Sequence, residues 1–489
     1  MALFNKVSKK KSKKTKNLAG GQAYKMSAEM KLASMLLTSF AQDQYYRSAK
    51  DTFKDLVNTL PQVDPEFAAK AAIFARTEYG MRSITHVLAA ELAAYASGKA
   101  WSKSFYDKVI FRPDDMLEIM AYYYAKGGKT LPNAMKKGFA KSFDRFDAYQ
   151  LAKYRGNSKS VKLIDVVNLV HPKPTGRNEK ALKNLVDDEL RSQNTWEAKL
   201  TKAGQTAKSD TEKAELKKAA WAEMIESGKI GYFALLRNLR NIAEQAPAMI
   251  DKALAILTDP KRIQSPRNLV MPFRYLVAFK QFNKEKTAIA RKIAAALDKA
   301  IEISCANAPA MENTLIVVDN SGSMCSPVAG SEHMQCSEMG AAFGMILAKN
   351  SNADLMEFGT NARYIQYNLR DSVTSFAADF HRKNKVGHGT DFKSIFKTAK
   401  KAYDRIVIFS DMQGWMGYYA PGNSLKDYQK HTGANPYIYS YDLRGYGTMQ
   451  FPENRVFCLA GFSDKVFDIM QLLETDPRAL VNKIKKVQL

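Results

Sequence analysis

Thr314-Leu-Ile-Val-Val-Asp-Asn-Ser-Gly-Ser323 is the stretch that decides the fold: an apolar, β-branched run leads straight into an Asp-x-Ser-x-Ser turn. A short unbroken apolar run that ends in polar residues reads as a buried strand of a parallel sheet. Downstream, similar runs at 353–358, 405–409, 436–442 and 455–459 alternate with helical periodicity at 334–349, 392–403 and 464–474. That alternation predicts an α/β doubly wound domain over residues 311–489, a parallel sheet covered on both faces.

Three separated pieces of this domain carry oxygen ligands: Asp319, Ser321 and Ser323 after the first strand, Thr390 in Gly389-Thr390-Asp391, and Asp411 after the strand ending at Phe409. In open α/β sheets, ligands bind outside the carboxyl ends of the strands, which is where Asp319 and Asp411 fall. Two carboxylates with the hydroxyls of Ser321, Ser323 and Thr390 form a hard, all-oxygen set. Such a set suits Mg²⁺ or Mn²⁺ better than Zn²⁺. Either carboxylate piece alone reads equally as a helix cap or a strand-end turn. Their order and common position at strand ends favour a divalent-cation site.

Upstream the pattern is different. Apolar residues recur at helical spacing in Met30-Leu32-Met35-Leu36-Phe40, Phe67-Ala71-Phe74-Ala75, Met116-Ile119-Met120-Tyr123 and Ile289-Ile293-Ala296-Ala300. Asp64-Pro65 and Arg112-Pro113-Asp114-Asp115 are helix starts, and Gly80 and Gly127-Gly128 are stops. Residues 199–219, polar, Lys-rich and Ala-rich, read as an exposed helical hairpin or an insertion. The expected organisation is a basic disordered tail at 1–16, an all-α region at 17–310 and the α/β domain at 311–489.

Charge separates the same two regions. Of 74 Lys/Arg and 49 Asp/Glu, only 20 and 19 lie in residues 301–489, so residues 1–300 hold 54 and 30, a net of +24. A solvated surface would spread that excess evenly; its concentration predicts a polyanionic partner for the helical region. No stretch of 18 apolar residues suggests a membrane span, and the N-terminus lacks a signal-type apolar core. The four cysteines form no Cys-x-x-Cys pair, so a reducing cytoplasm is the expected setting.

Asp319-x-Ser-x-Ser with Thr390 and Asp411 resembles the metal-ion-dependent adhesion site of von Willebrand factor A domains. The preceding region resembles the TROVE module of the Ro 60 kDa autoantigen family. The matching pieces are Gly20-Gly21-Gln-Ala-Tyr24, Tyr45-Tyr46, Ala71-Ala-Ile-Phe-Ala-Arg76, Met81-Arg82, Leu131-Pro132, Leu151-Ala-Lys153-Tyr-Arg155, His171-Pro-Lys-Pro174 and Ala234-Leu-Leu-Arg237-Asn238-Leu. The resemblance implies a ring of HEAT-like helical repeats closed by the α/β domain. It implies single-stranded 3′ ends of misfolded RNA in the ring cavity and small non-coding, Y-like RNA on the outer surface. It also implies a role in RNA quality control, or as an adaptor to an exoribonuclease.

Carried over residue by residue, the outer RNA surface includes Lys153, Arg155 and His171. The family segment has a second basic residue four positions after its Lys, where this chain has Asn157; Arg155 and Lys159 both remain candidates for that role. The residues themselves agree in kind: basic side chains flank a Gly-Asn-Ser turn, and His171 precedes a proline, away from a helix interior. Arg76 and Arg237 sit on apolar helices, either as core-edge residues with snorkelling heads or as RNA contacts in the cavity.

Competing functions are weaker. Six histidines and no phosphate loop leave little for hydrolase or NTPase chemistry. A metal-dependent ribonuclease would want two close metals and more carboxylates. A protein-adhesion module leaves the net +24 unexplained. The expectation is a monomeric, non-enzymatic RNA-binding protein.

Overall fold

The computed structural model describes the chain outside residues 1–13, 40–47, 191–195, 229, 266–267, 269, 283–284, 329–330, 417–420, 452–454, 462 and 477. From Ala28–Thr38 to Ala288–Ser304, helices follow one another with short connections. The Asp64 carboxylate accepts the Glu66 N–H (3.1 Å) and Pro65 takes the first helical position, so Pro65–Thr77 begins where the sequence predicts. Gly80, at φ +61°, turns the chain after that helix, a conformation that costs glycine nothing. Residues Trp196–Thr206 and Asp210–Glu226 pack as a helical hairpin, with Trp196 stacked on Trp221. Phe40, Tyr45 and Tyr46 lie outside the described residues.

A six-stranded sheet forms the second half, in the order Val456–Ala460, Tyr437–Asp442, Arg405–Ser410, Thr314–Asp319, Asp354–Phe358, Ala362–Ile365. Leu315 and Val317 face one side, with Phe392, Ile395 and Leu425; Ile316 and Val318 face the other, with Phe343, Phe409 and Phe467. Burial on both faces explains why the strand reads as continuous rather than alternating. The expectation of a purely parallel sheet is corrected at one edge, where Ala362–Ile365 runs antiparallel to Asp354–Phe358. Only residues 359–361 separate these strands, too few for the crossover a parallel pair requires.

The core on the Ile316/Val318 side is continuous with the helical region, running from Leu32 to Ile484. Both ends of the helical region meet the α/β domain. At the end of the array, Phe273–Phe282 and Ala288–Ser304 pack on Val373–Phe380, and Asp298 accepts the Thr374 N–H (2.9 Å). At its start, Gln22–Lys25 pairs with Lys14–Lys16 and, antiparallel, with Thr448–Met449. Residues 14–16 are therefore strand rather than the end of a disordered tail; residues 1–13 lie outside the described residues. Asn17 Nδ2 donates to Gly414 O (2.7 Å) and the Leu18 N–H to Gln413 Oε1 (2.7 Å). Gly21 has to be glycine here, because a Cβ would lie 2.0 Å from Gly414 O.

One buried carboxylate ties three helices of the array together. Asp115 accepts from Arg76 Nη2 (2.9 Å), Arg82 Nε (2.8 Å), His86 Nε2 (3.0 Å) and the N–H groups of Phe111 and Arg112 (both 2.9 Å). Arg76 is 4% exposed and committed to this network, so the structure removes it from the RNA candidates. Burial would raise the Asp115 pKa, yet its His86, Arg76 and Arg82 partners hold it well below the usual 3.8. Burial lowers the His86 pKa below 6.5, against the pull of Asp115. Asp115→Asn should cost about 3–5 kcal/mol in urea denaturation, because it strands a buried guanidinium. The pH dependence follows from the two directions. Below pH 6.5 the unfolded chain binds a proton at His86 that the folded chain refuses, so stability falls on acidification from there. Asp115 adds its loss only below pH 3.8, as the pH falls towards its folded value. His86→Gln should flatten the first part of the profile; a melting temperature equally pH-dependent in that variant would contradict this.

Candidate metal centre and nucleic-acid interface

Parallel pairing of Thr314–Asp319 with Arg405–Ser410 sets Val318 beside Phe409, so the two strands deliver Asp319 and Asp411 to neighbouring exits. Ser410 Oγ donates to Asp319 Oδ2 (2.6 Å), and the Ser321 N–H donates to Asp319 Oδ1 (2.8 Å). Asp411 Oδ1 accepts the Gln413 N–H (3.1 Å), while Asp411 Oδ2 is buried with no hydrogen-bond partner among the described residues. The Ser321 and Ser323 hydroxyl oxygens lie 3.4 Å apart. The Gly322 N–H donates to His388 O (2.9 Å) and the Trp415 N–H to Thr390 O (3.3 Å), which clamps the loop bearing Thr390 between the other two. All five residues predicted for the cation are buried in this one region.

Burial first, and then the charge of Asp411, push the Asp319 pKa up to about 7. Burial also raises Asp411, against the Ser323 hydroxyl and the buried Arg444 guanidinium, which lower it. Arg444 is one positive charge against two buried carboxylates, so the pair is unfavourable without a further counter-charge. With hydroxyls as the remaining donors, the site fits a hard divalent cation held by Asp319, Asp411, Ser321, Ser323 and Thr390. Among the described residues no group of three or more His, Cys, Asp or Glu side chains is placed to hold a metal ion.

Beside this centre runs a relay that the sequence did not disclose. Asn320 Nδ2 donates to Glu357 Oε2 (2.8 Å), which turns its Oδ1 towards His381 Nδ1 (2.9 Å). Nδ1 then carries the proton, and the Cys325 sulfur lies 2.9 Å from Nε2 and 3.4 Å from Nδ1, against the face of the His381 ring. No spacing rule connects residues so far apart in the chain.

Lys153, Arg155 and Lys159 line one cleft of about 490 Å³ around the Gly156 turn. Arg155 is largely committed there: it pairs with Asp188 and donates to Leu190 O (2.5 Å), with 15% of its side chain exposed. Lys159 is more open, though ion-paired to Glu118, and Lys153 Nζ is 3.8 Å from Glu197. His171 is exposed at the end of Leu163–Val170, at φ +47°, and does not line the cleft.

Arg237 belongs to a different cluster, which includes two residues missed in the sequence. The exposed ring of Phe233 has the guanidinium carbons of Arg237 and Arg274 at 5.8 and 5.7 Å from its centre. Burial and then the Arg237 charge lower the Arg274 pKa. Among the described residues neither arginine has a carboxylate partner. Phe233 and Arg237, four apart on one helix, were the available signal.

The TROVE domain family matches residues 15–219, and the Ro60 vWA domain family matches residues 313–473. The RNA-binding protein RO60 of Deinococcus radiodurans is 25% identical, over 87% of this chain and 88% of that protein. Telomerase protein component 1 of Mus musculus is 23% identical over 54% of this chain, and the match spans 13% of its own length. The crystal structure of the Deinococcus radiodurans RO (RSR) protein superposes with a TM-score of 0.59 at 20% identity, covering 94% of this chain and 100% of that one, and so shares the fold. Carrying these two domains in this order, on this fold, the chain belongs to the Ro60 family of RNA-binding proteins.

Proposed function

We propose that the chain binds RNA through its helical region and performs no chemistry on it. The observation that carries this reading is charge segregation: 54 basic against 30 acidic residues in 1–300, and near balance beyond. Phosphate neutralisation by such a region releases counterions and supplies affinity that falls with salt. The name of the Deinococcus relative, an RNA-binding protein, supports the same partner class. Following the family resemblance, single-stranded 3′ ends of misfolded RNA use Phe233, Arg237 and Arg274, an exposed ring flanked by two guanidinium groups with no carboxylate partner among the described residues. Small Y-like RNA uses Lys153, Lys159 and His171, with Arg155 as a support of the cleft. The protein acts as a monomer in RNA quality control, or as an adaptor to an exoribonuclease, in the reducing cytoplasm where its free cysteines belong.

The α/β domain is proposed to hold Mg²⁺ or Mn²⁺ at Asp319 and Asp411 as a docking site. When bound, the cation supplies a counter-charge to the carboxylates and a coordination position for an acidic group of a partner. Two carboxylates offer fewer ligands than the two-metal clamp of a nuclease normally uses.

Titrating a hairpin RNA with a single-stranded 3′ end against blunt duplex DNA, at two salt concentrations, tests the RNA reading. The expected result is preference for the RNA, weaker at higher salt, with labelled RNA left intact in Mg²⁺. Phe233→Ala should weaken this binding by about 1–3 kcal/mol through lost stacking, with the fold retained because the ring is exposed. Equal affinity for duplex DNA, or cleavage abolished by Asp411→Ala, would overturn it. For the cation, Mg²⁺ at a hundred times its Kd should stabilise the wild type by about 2.7 kcal/mol, and Asp319→Asn not at all. An equal gain in both would move the cation elsewhere.

A further inference from the structure

A cavity of about 590 Å³ opens where the helical region meets the α/β domain, between the end of Pro65–Thr77 and the start of Lys465–Leu473. Three carboxylates line it, Glu78, Asp464 and Asp468, and none forms an ion pair with a Lys or Arg among the described residues. Acidic groups are outnumbered 49 to 74 in this chain, yet three of them gather on this one cavity. Lys465 is the basic side chain that shares the lining.

The second observation is Tyr79. It lines the same cavity, is 2% exposed, and its hydroxyl is buried without a hydrogen-bond partner among the described residues. A buried orphan hydroxyl is unfavourable until a donor or acceptor arrives. Burial and the charges of Asp464, Asp468 and Glu78 hold this phenol well above its ordinary pKa, so it stays protonated in a negative field. Phe111, Val270 and Met271 add an apolar wall.

We infer that this cavity is a binding site for a short alkyl diamine or polyamine. Ammonium groups pair with the carboxylates, the Tyr79 oxygen accepts one N–H, and the methylene stem lies on the apolar wall, as a lysine stem does on a protein surface. A bare metal ion is a poorer match. Among the described residues the carboxylates are not gathered as a metal-ligand cluster, and a cavity of about 590 Å³ is far larger than a single ion. Because the lining comes from both halves of the chain, the bound amine fastens the helical region to the α/β domain.

Calorimetric titration of the RNA-free full-length chain with spermidine and putrescine, at fixed ionic strength, tests this. A single saturable site is expected, weakened by about tenfold or more in Glu78→Gln/Asp464→Asn through loss of charge-assisted hydrogen bonds. Tyr79→Phe removes only a hydroxyl that has no partner, so it should keep the unliganded melting temperature and still bind spermidine more weakly. No saturable heat with either amine would overturn the proposal. So would wild-type affinity in the double variant and in Tyr79→Phe, or binding of a lysine-containing peptide where the free amines fail.

Discussion

Two carboxylates that repel each other are buried at adjacent strand exits, and much of the α/β domain is arranged around that pair. The register of Thr314–Asp319 against Arg405–Ser410 brings Asp319 and Asp411 together. Ser410 and the Ser321 N–H take part of the charge of Asp319, but Asp411 keeps an oxygen with no donor among the described residues. Placing such a pair in low dielectric is unfavourable unless a counter-charge is available. The loop that follows Asp411 also receives the N-terminal strap, through Asn17 on Gly414 and Leu18 on Gln413. The same backbone therefore carries a ligand-type carboxylate and the contact that closes the helical region onto the domain.

Closure is more than a few hydrogen bonds. One apolar core runs from the first helices through one face of the sheet to the C-terminal helix, so the halves are joined as a domain interior is joined. Against that common core the charge is divided sharply. Basic residues gather on the helical side, while the α/β side is balanced and offers buried oxygens. The two halves therefore suit different ligands: a polyanion for one, a small cation or an acidic group for the other.

Much of this was legible in the sequence, for identifiable reasons. A strand buried on both faces has to be apolar throughout, so Thr314–Asp319 announced itself and its terminal Asp marked the site. Asp64-Pro65 encodes a helix start in local chemistry. What was not legible depends on partners distant in the chain. Arg76 on an apolar helix read as an RNA candidate because nothing nearby reveals Asp115 beneath it. The edge strand Ala362–Ile365 is short and only half-buried, so it lacks the apolar signature of its neighbours. The strap Gln22–Lys25 pairs with Thr448–Met449, and Phe233 meets Arg274, across separations no periodicity records.

The claim on which the rest hangs is that RNA belongs to the basic helical half and not to the carboxylate centre. Ultraviolet crosslinking of a bound single-stranded-ended RNA, with the attached peptides identified by mass spectrometry, reads this directly. The account predicts crosslinks within residues 14–310, including the peptide that contains Phe233. Crosslinks concentrated in residues 311–489, around Asp319 and Asp411, would contradict it.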